Sequence, residues 1–269
     1  MKSPIIVHIT DAHIDDPRRE PNAHLRLRRI AETIAEQEDR DRTVICDTGD
    51  LGWSMTSTEA DKIRWALAPI YGWRMIFSQG NHDHGPWGLI RWGRRSDHWR
   101  DLVAGLTGHD PPEAPEIEVR SFAGVDFIAA NSAHDQSFLA RGKLGEEQIE
   151  NIAQACGRAR RAKKKSVLLI HHCPSGGNAT KRLSDRRELG EALDSVGGVD
   201  LMLTGHLHRD REWSGVFGAG RLISTGPATE TPIWYRRVFW NDLNQIRWNW
   251  RYAGDGGARS RDRSRRSDR

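Results

Sequence analysis

Short apolar runs alternate with helical patterns along most of this chain, and that alternation restricts the fold more than any other feature. Residues 5–10, 43–46, 73–77, 125–130, 167–170 and 199–203 read as strands, being continuous runs rich in Ile, Val and Leu. Between them lie helical patterns at 22–38 (Leu25, Ile30 and Ile34 among charges), 58–70, about 145–164, and 184–195. Strands buried on both faces and separated by helices predict an α/β sheet. The segments 211–225 and 233–252 differ: rich in Trp, Val, Tyr and Arg, they predict β-hairpins closing a second sheet. Residues 1–253 read as one domain. No linker or internal repeat interrupts it.

The formal net charge is +4 over 269 residues, and it is unevenly placed. Residues 254–269, "GDGGARSRDRSRRSDR", hold six Arg and three Asp, a net of +3, which leaves +1 for residues 1–253. A segment of Gly, Ser, Arg and Asp cannot bury a core, so a disordered tail is expected there, with nucleic acid a candidate contact. No apolar run reaches the length of a membrane span, and the start "MKSPIIVHIT" lacks the pattern of a signal peptide. Three widely spaced cysteines, Cys46, Cys156 and Cys173, make no disulfide framework, and a cytoplasmic location is expected.

Five polar clusters each follow a strand-like run: "TDAHID" (10–15), "DTGDLG" (47–52), "QGNHDHG" (79–85), "LIHHCP" (169–174) and "TGHLHR" (204–209). Residues just past the strand ends of an open α/β sheet share one rim, where ligands bind. The residue types are those of a metal site. Asp11 and His13 are two apart, as are His206 and His208, so each pair faces one way on an extended strand end. Asp50, Asn81 and His171 or His172 complete the set. Carboxylates, imidazoles and one amide suit Mn, Fe or Zn rather than a thiolate site. About seven ligands are too many for one catalytic ion. They suit two ions sharing a carboxylate, which can clamp a phosphoryl group and activate a bridging water.

In these five blocks, D-x-H, G-D, G-N-H-D, H and G-H-x-H in that order, the chain resembles the calcineurin-like metallophosphoesterase superfamily. The resemblance implies a four-layer α/β/β/α sandwich of two packed mixed sheets, with the metal site at the C-terminal ends of the strands. It implies two divalent or trivalent ions. One is held by Asp11, His13, Asp50 and His208, the other by Asp50, Asn81, His171 and His206, with Asp50 bridging and a metal-bridging hydroxide as nucleophile. It assigns His82 to the phosphate, as charge stabiliser or general acid, with Asp83 orienting it and raising its pKa. Strand alternation points His172 to the opposite face from His171 and leaves it a packing role. His84 reads as loop and His8 as core. Cys173 reads as a small apolar residue.

The second block, "GDLGWS", lacks the Arg that the protein Ser/Thr phosphatase branch uses to grip phosphate. "IHHCP" resembles the H-H-P-P of bacterial cyclic-nucleotide and glycerophosphodiester phosphodiesterases, with Cys173 replacing one Pro. A small phosphodiester is therefore the expected substrate. Two other readings stay open: an SbcD-like DNA nuclease using the basic tail, and a non-catalytic binding scaffold on the same fold. The segment 86–110, with Trp87, Trp92, Trp99, Arg91, Arg94, Arg95 and Arg100, is either a substrate cap or an amphipathic helix with core tryptophans. The sequence leaves the oligomeric state undetermined.

Overall fold

A computed structural model describes residues 3–18, 21–85, 95–133, 140–178, 181–241, 243–253 and 260–261. Strands β1 (Ile5–Ile9), β2 (Thr43–Asp47) and β3 (Arg74–Phe77) pair in parallel. Two helices cross between them, α1 (Ala23–Gln37) and α2 (Ser57–Leu67). Helix α1 buries Leu27, Ile30, Ala31 and Ile34, the three- and four-residue spacing of one helix face. Helix α2 begins at a capping box, in which the Thr56 hydroxyl accepts from the Glu59 N–H and the Glu59 carboxylate accepts from the Thr56 N–H.

The second half repeats the scheme with β5 (Val125–Ala129), α4 (Glu146–Arg161), β6 (Lys165–Leu169), α5 (Arg186–Ser195) and β7 (Val199–Thr204). Strand β4 (Glu118–Phe122) forms a hairpin with β5 that the sequence reading missed. Arg120 and Ser121 separate its two apolar residues, so it carries no apolar run. Helix α3 (Arg95–Thr107) packs on the first sheet and buries Trp99 in its core, so this part of the 86–110 segment is a packed helix. Trp87, Trp92, Arg91 and Arg94 lie outside the described residues.

The two C-terminal hairpins divide between the sheets, where the sequence predicted both in a second sheet. Strands β8 (Arg211–Val216) and β9 (Ala219–Ser224) extend the second sheet to the order β4-β5-β6-β7-β9-β8. Strands β10 (Trp234–Trp240) and β11 (Ile246–Tyr252) add antiparallel to β1, giving β12-β11-β10-β1-β2-β3. The reason is burial: Tyr235 and Val238 need the first sheet's helix-side and inter-sheet cores. Most of the expected tail lies outside the described residues. Within it, Ser260–Arg261 form a short strand, β12, on the edge of β11.

Three apolar layers hold these parts together. Val7, Ile9, Leu27, Ile30 and Ile45 pack between the first sheet and α1–α3. Ile128, Ile152, Leu168, Leu189 and Met202 pack between the second sheet and α4–α5. Ile6, Val44, Phe127, Val167, Leu201 and Val238 pack between the sheets. The order helix–sheet–sheet–helix is the four-layer sandwich that the resemblance implied. Each fully buried Leu, Ile or Val contributes about 1.5–3 kcal/mol. No described helix is long and apolar enough to cross a membrane.

One polar clamp fastens β10 to the end of α1. Glu38 is 8% exposed; its carboxylate accepts from the Tyr235 hydroxyl at 2.9 Å and from Arg237 Nε at 3.0 Å. Glu38→Ala leaves both donors without their acceptor. It is expected to cost about 1–3 kcal/mol in equilibrium denaturation while leaving metal content unchanged.

Candidate metal centre

All five polar clusters meet at the rim where the two sheets come together. Asp11 and His13 follow β1, Asp50 follows β2, and Asn81 to Asp83 follow β3 in a short 3-10 turn. His171 follows β6; His206 and His208 follow β7. Five of these residues have left-handed backbone: Asp11, His13, Asp50, His206 and His208, with φ of 53°, 45°, 59°, 65° and 52°. Such conformations cost non-glycine residues about 1–3 kcal/mol each and persist where surrounding bonds fix them. Here the Asp11 N–H donates to the Gly49 carbonyl and the His13 N–H to the Asp50 carbonyl, both at 2.9 Å. The His206 N–H donates to Asp11 Oδ2 at 3.0 Å.

The glycines of the clusters have a matching cause. A Cβ on Gly80 would collide with the Asp50 carboxylate, and one on Gly205 with Thr10 Oγ1 and Asp11 Oδ2. The loops approach too closely for any side chain at those positions.

The donor atoms converge. Asp50 Oδ2 lies 3.2 Å from His171 Nε2 and 3.6 Å from His13 Nε2. Asp11 Oδ1 lies 3.0 Å from His208 Nε2 and 3.5 Å from His13 Nε2. Asn81 Oδ1 is 3.2 Å from His171 Nε2, which is also 3.2 Å from His206 Nδ1. Four triads have ligand atoms within 4.8 Å of one another: Asp11–His13–His208, Asp11–Asp50–His171, His13–Asp50–His82 and His171–His172–His206. The buried His206 Nε2 has no hydrogen-bond partner. Imidazole nitrogens facing each other and carboxylates in one water-poor pocket fit cations of the Mn, Fe or Zn kind. Asp11 and Asp50 are held well below the usual carboxylate range, against the effect of burial, by the surrounding histidines.

The histidine rings are oriented by main-chain carbonyls that carry no sequence signal. His171 Nδ1 meets the Thr48 carbonyl at 2.7 Å, so its Nε2 faces the centre. His82 Nδ1 meets the Trp53 carbonyl at 2.9 Å, and its ring stacks on Trp53 with centroids 4.2 Å apart. Arg18 covers the Trp53 ring at 3.9 Å. Sequence reasoning missed Trp53 entirely, since only its backbone oxygen and its flat ring are used.

Three expectations are corrected. Asp83 does not orient His82: its carboxylate accepts from the backbone N–H groups of Asp50, Leu51 and Gly80 at 2.9–3.0 Å. It ties the second block to the third. Nor is the His82 pKa raised; burial lowers it, opposed by Asp50 and by the Trp53 carbonyl. His172 does not face away from His171. Its ring lies 4.4 Å from that of His206, and its Nδ1 meets Ser132 Oγ at 2.9 Å. Strand β6 ends at Leu169, so alternation no longer governs residues 171 and 172. His84 is buried in the 3-10 turn. Cys173 is buried in the second sheet's core.

The calcineurin-like phosphoesterase family model matches residues 5–210, and the chain belongs to that family. By that membership it is a metal-dependent phosphoesterase. No curated protein sequence matches the chain. Among solved structures, a dimetal phosphatase from Danio rerio is 12% identical with a TM-score of 0.71, covering 97% of this chain and 99% of that one. The purple acid phosphatase PPD1 of yellow lupin is 14% identical with a TM-score of 0.62; 96% of this chain matches 53% of that enzyme. GAP50 of Plasmodium, described as an anchor in the inner membrane complex, is 9% identical with a TM-score of 0.63, covering 97% of this chain and 89% of that one. At these identities the likeness is one of fold.

Behind the centre, His8 on β1 is fully buried, with Nε2 2.9 Å from Thr48 Oγ1 and Nδ1 2.8 Å from Thr225 Oγ1. Burial foremost, with Arg236, lowers its pKa to about 3 from 6.5. The unfolded chain takes up a proton on this ring below about pH 6.5, and the folded chain does so only near pH 3. The stability contribution of His8 is therefore present above pH 6.5 and is lost as pH falls through that window. His8→Gln is expected to flatten the decline of unfolding free energy between pH 6.5 and 4. An unchanged slope would contradict this.

Proposed function

We propose that this chain hydrolyses small phosphodiesters at a pair of metal ions. The observation that carries the reading is the position of Asp50. One of its oxygens lies between His171 and His13, so a single carboxylate faces both halves of the donor set. Asp11, His13, Asp50 and His208 would hold one ion, and Asp50, Asn81, His171 and His206 the other. Bound there, the pair would supply charge for the phosphoryl oxygens and lower the pKa of an attacking water.

The protein's own groups do the rest. The rim loops fix the donors, and burial keeps bulk water from the centre. With Nδ1 turned to the Trp53 carbonyl, the His82 ring presents Nε2 as its other proton-carrying atom. His82 is 8% exposed, stacked on Trp53, and 4.9 Å from the His13 ring centroid. An arriving phosphoester anion would oppose the effect of burial and favour its protonated form. Nε2–H would then stabilise phosphoryl charge or give its proton to the leaving oxygen.

The resemblance of "IHHCP" (170–174) to the H-H-P-P of phosphodiesterases is what favours a diester over a monoester. The buried, unpaired thiols of Cys46, Cys156 and Cys173 support a reducing, cytoplasmic setting. GAP50, described as an anchor, shares this fold; the presence here of every donor that the family pattern implies favours catalysis over a binding scaffold. A DNA nuclease would rest on the basic residues 254–269, of which only 260–261 are described.

Two outcomes test the reading. Asp50→Asn is expected to lose at least one metal ion per chain and most hydrolysis of bis-p-nitrophenyl phosphate with Mn. Two tightly bound ions with normal turnover would remove the dinuclear proposal. His82→Ala is expected to keep its metals and lose about 10²–10⁴-fold in rate on a diester with a poor leaving group. The loss should be smaller for p-nitrophenol, which leaves without protonation. Equal losses on both substrates would leave His82 a binding role only.

A further inference from the structure

A cavity of about 330 Å³ opens beside His208, in the mouth between the sheets. Its walls include Asp210, Pro227, Glu230, Trp234 and Trp250. We propose that this cavity is the subsite for a nucleobase, which makes a nucleoside phosphodiester the substrate class. This rests on the phosphodiester reading above.

The first support is position. His208 belongs both to the donor cluster and to the cavity lining. The segment 226–232, which supplies another wall, is tied to the loop that carries Asp11 and His13: the Ala228 N–H donates to the Thr10 carbonyl at 3.0 Å and the Thr229 hydroxyl to the Ala12 carbonyl at 2.8 Å. A phosphoester held at the centre would therefore have one substituent directed into this space. The volume lies in the range of small-molecule pockets.

The second support is the aromatic surface. Strands β10 and β11 pair Trp234 with Tyr252 and Arg236 with Trp250, so Trp234 and Trp250 are diagonal neighbours on one face of the sheet. Both are half-buried. The Trp250 ring is fixed from behind by the Arg236 guanidinium, whose Cζ lies 4.6 Å from the ring centroid and equally far from that of Trp248. Arg236 is 1% exposed, and its Nε and Nη1 have no hydrogen-bond partner. Its Nη2 faces Asp210 Oδ1 at 3.4 Å, so this buried cation both fixes the two indoles and faces a carboxylate of the cavity.

The third support is charge. Asp210 and Glu230 at the cavity disfavour a second phosphate or carboxylate there. Arg236 faces Asp210 Oδ1 at 3.4 Å and Arg209 shares the lining, so a free cation gains little. A flat, neutral heterocycle with N–H groups fits this surface: it stacks on indole and donates towards carboxylate. Stacking of a base on an aromatic side chain is worth about 1–3 kcal/mol, or about 5- to 150-fold in affinity.

The test compares two diesters with the same leaving group, thymidine 5′-p-nitrophenyl phosphate and methyl p-nitrophenyl phosphate, on the full chain with Mn. The wild type is expected to prefer the thymidine ester in kcat/KM, mostly through KM. Trp234→Ala should reduce that preference about 5- to 150-fold, and Trp234→Phe should keep most of it. No preference in the wild type, or the same preference in Trp234→Ala, would overturn the subsite. Equilibrium binding of free thymidine separates this proposal from the one beneath it. Saturable binding that Trp234→Ala weakens, with neither ester hydrolysed by the wild type, would keep the subsite and refute the hydrolase reading. Hydrolysis of both esters without thymidine binding would do the reverse.

Discussion

The centre depends on bonds that cross from one sheet to the other. Asp11, His13, Asp50 and Asn81 come from the first sheet; His171, His206 and His208 come from the second. The spacing between these two groups is therefore a property of the inter-sheet core, of Ile6, Val44, Phe127, Val167 and Leu201, and not of any one loop. Bonds at the rim help to set it, among them His171 Nδ1 with the Thr48 carbonyl, the His206 N–H on Asp11, and the Ser78 hydroxyl on the Ala130 carbonyl. Interiors pack closely and do not deform continuously. A change in a side chain between the sheets would thus reach the donors as a shift of one group against the other.

The left-handed residues follow from the same demand. A strand that simply continued would carry Asp11 and His13 past the centre. Turning the chain back at alternate positions aims several short side chains at one point, with backbone strain as the consequence. The loops offset that strain by bonding to one another. Asp83, buried and accepting three N–H groups, is the principal knot, and Gly49, Gly80 and Gly205 allow the approach. Asp83, Gly49, Gly80 and Gly205 thus serve the centre by holding or admitting backbone.

That distinction also sets how much was legible in the sequence. The strands and helices of both halves could be read because each is a run or a stripe of apolar residues, and the donors because their types are rare in combination. Sheet membership of the hairpins was not readable: both hairpin segments, 211–225 and 233–252, carry Trp and Arg among apolar residues, and only pairing with β7 or β1 assigns them. The partners of His82 and His171 were hidden because a carbonyl oxygen belongs to every residue. Asp83 was misread because proximity in sequence suggested a partnership that the 3-10 turn prevents: it turns the carboxylate towards the β2 loop and the His82 ring towards Trp53.

Charge explains the composition of the stretch "GNHDHG". Asp11 and Asp50 already bring two negative charges to the proposed ion pair, and a third ionised ligand would weaken its attraction for a phosphoester. Position 81 is an amide, which offers an oxygen without a charge. The next carboxylate, Asp83, is pointed away and buried, and burial together with Asp50 pushes its pKa up to about 7. Asp47, also buried beside the site, is pushed well above the usual range for the same first reason. The chain thus places carboxyl groups beside the centre that hold backbone in place and do not face the donors. Histidine supplies the remaining donors because a neutral imidazole binds a cation without repelling the anion that must follow it.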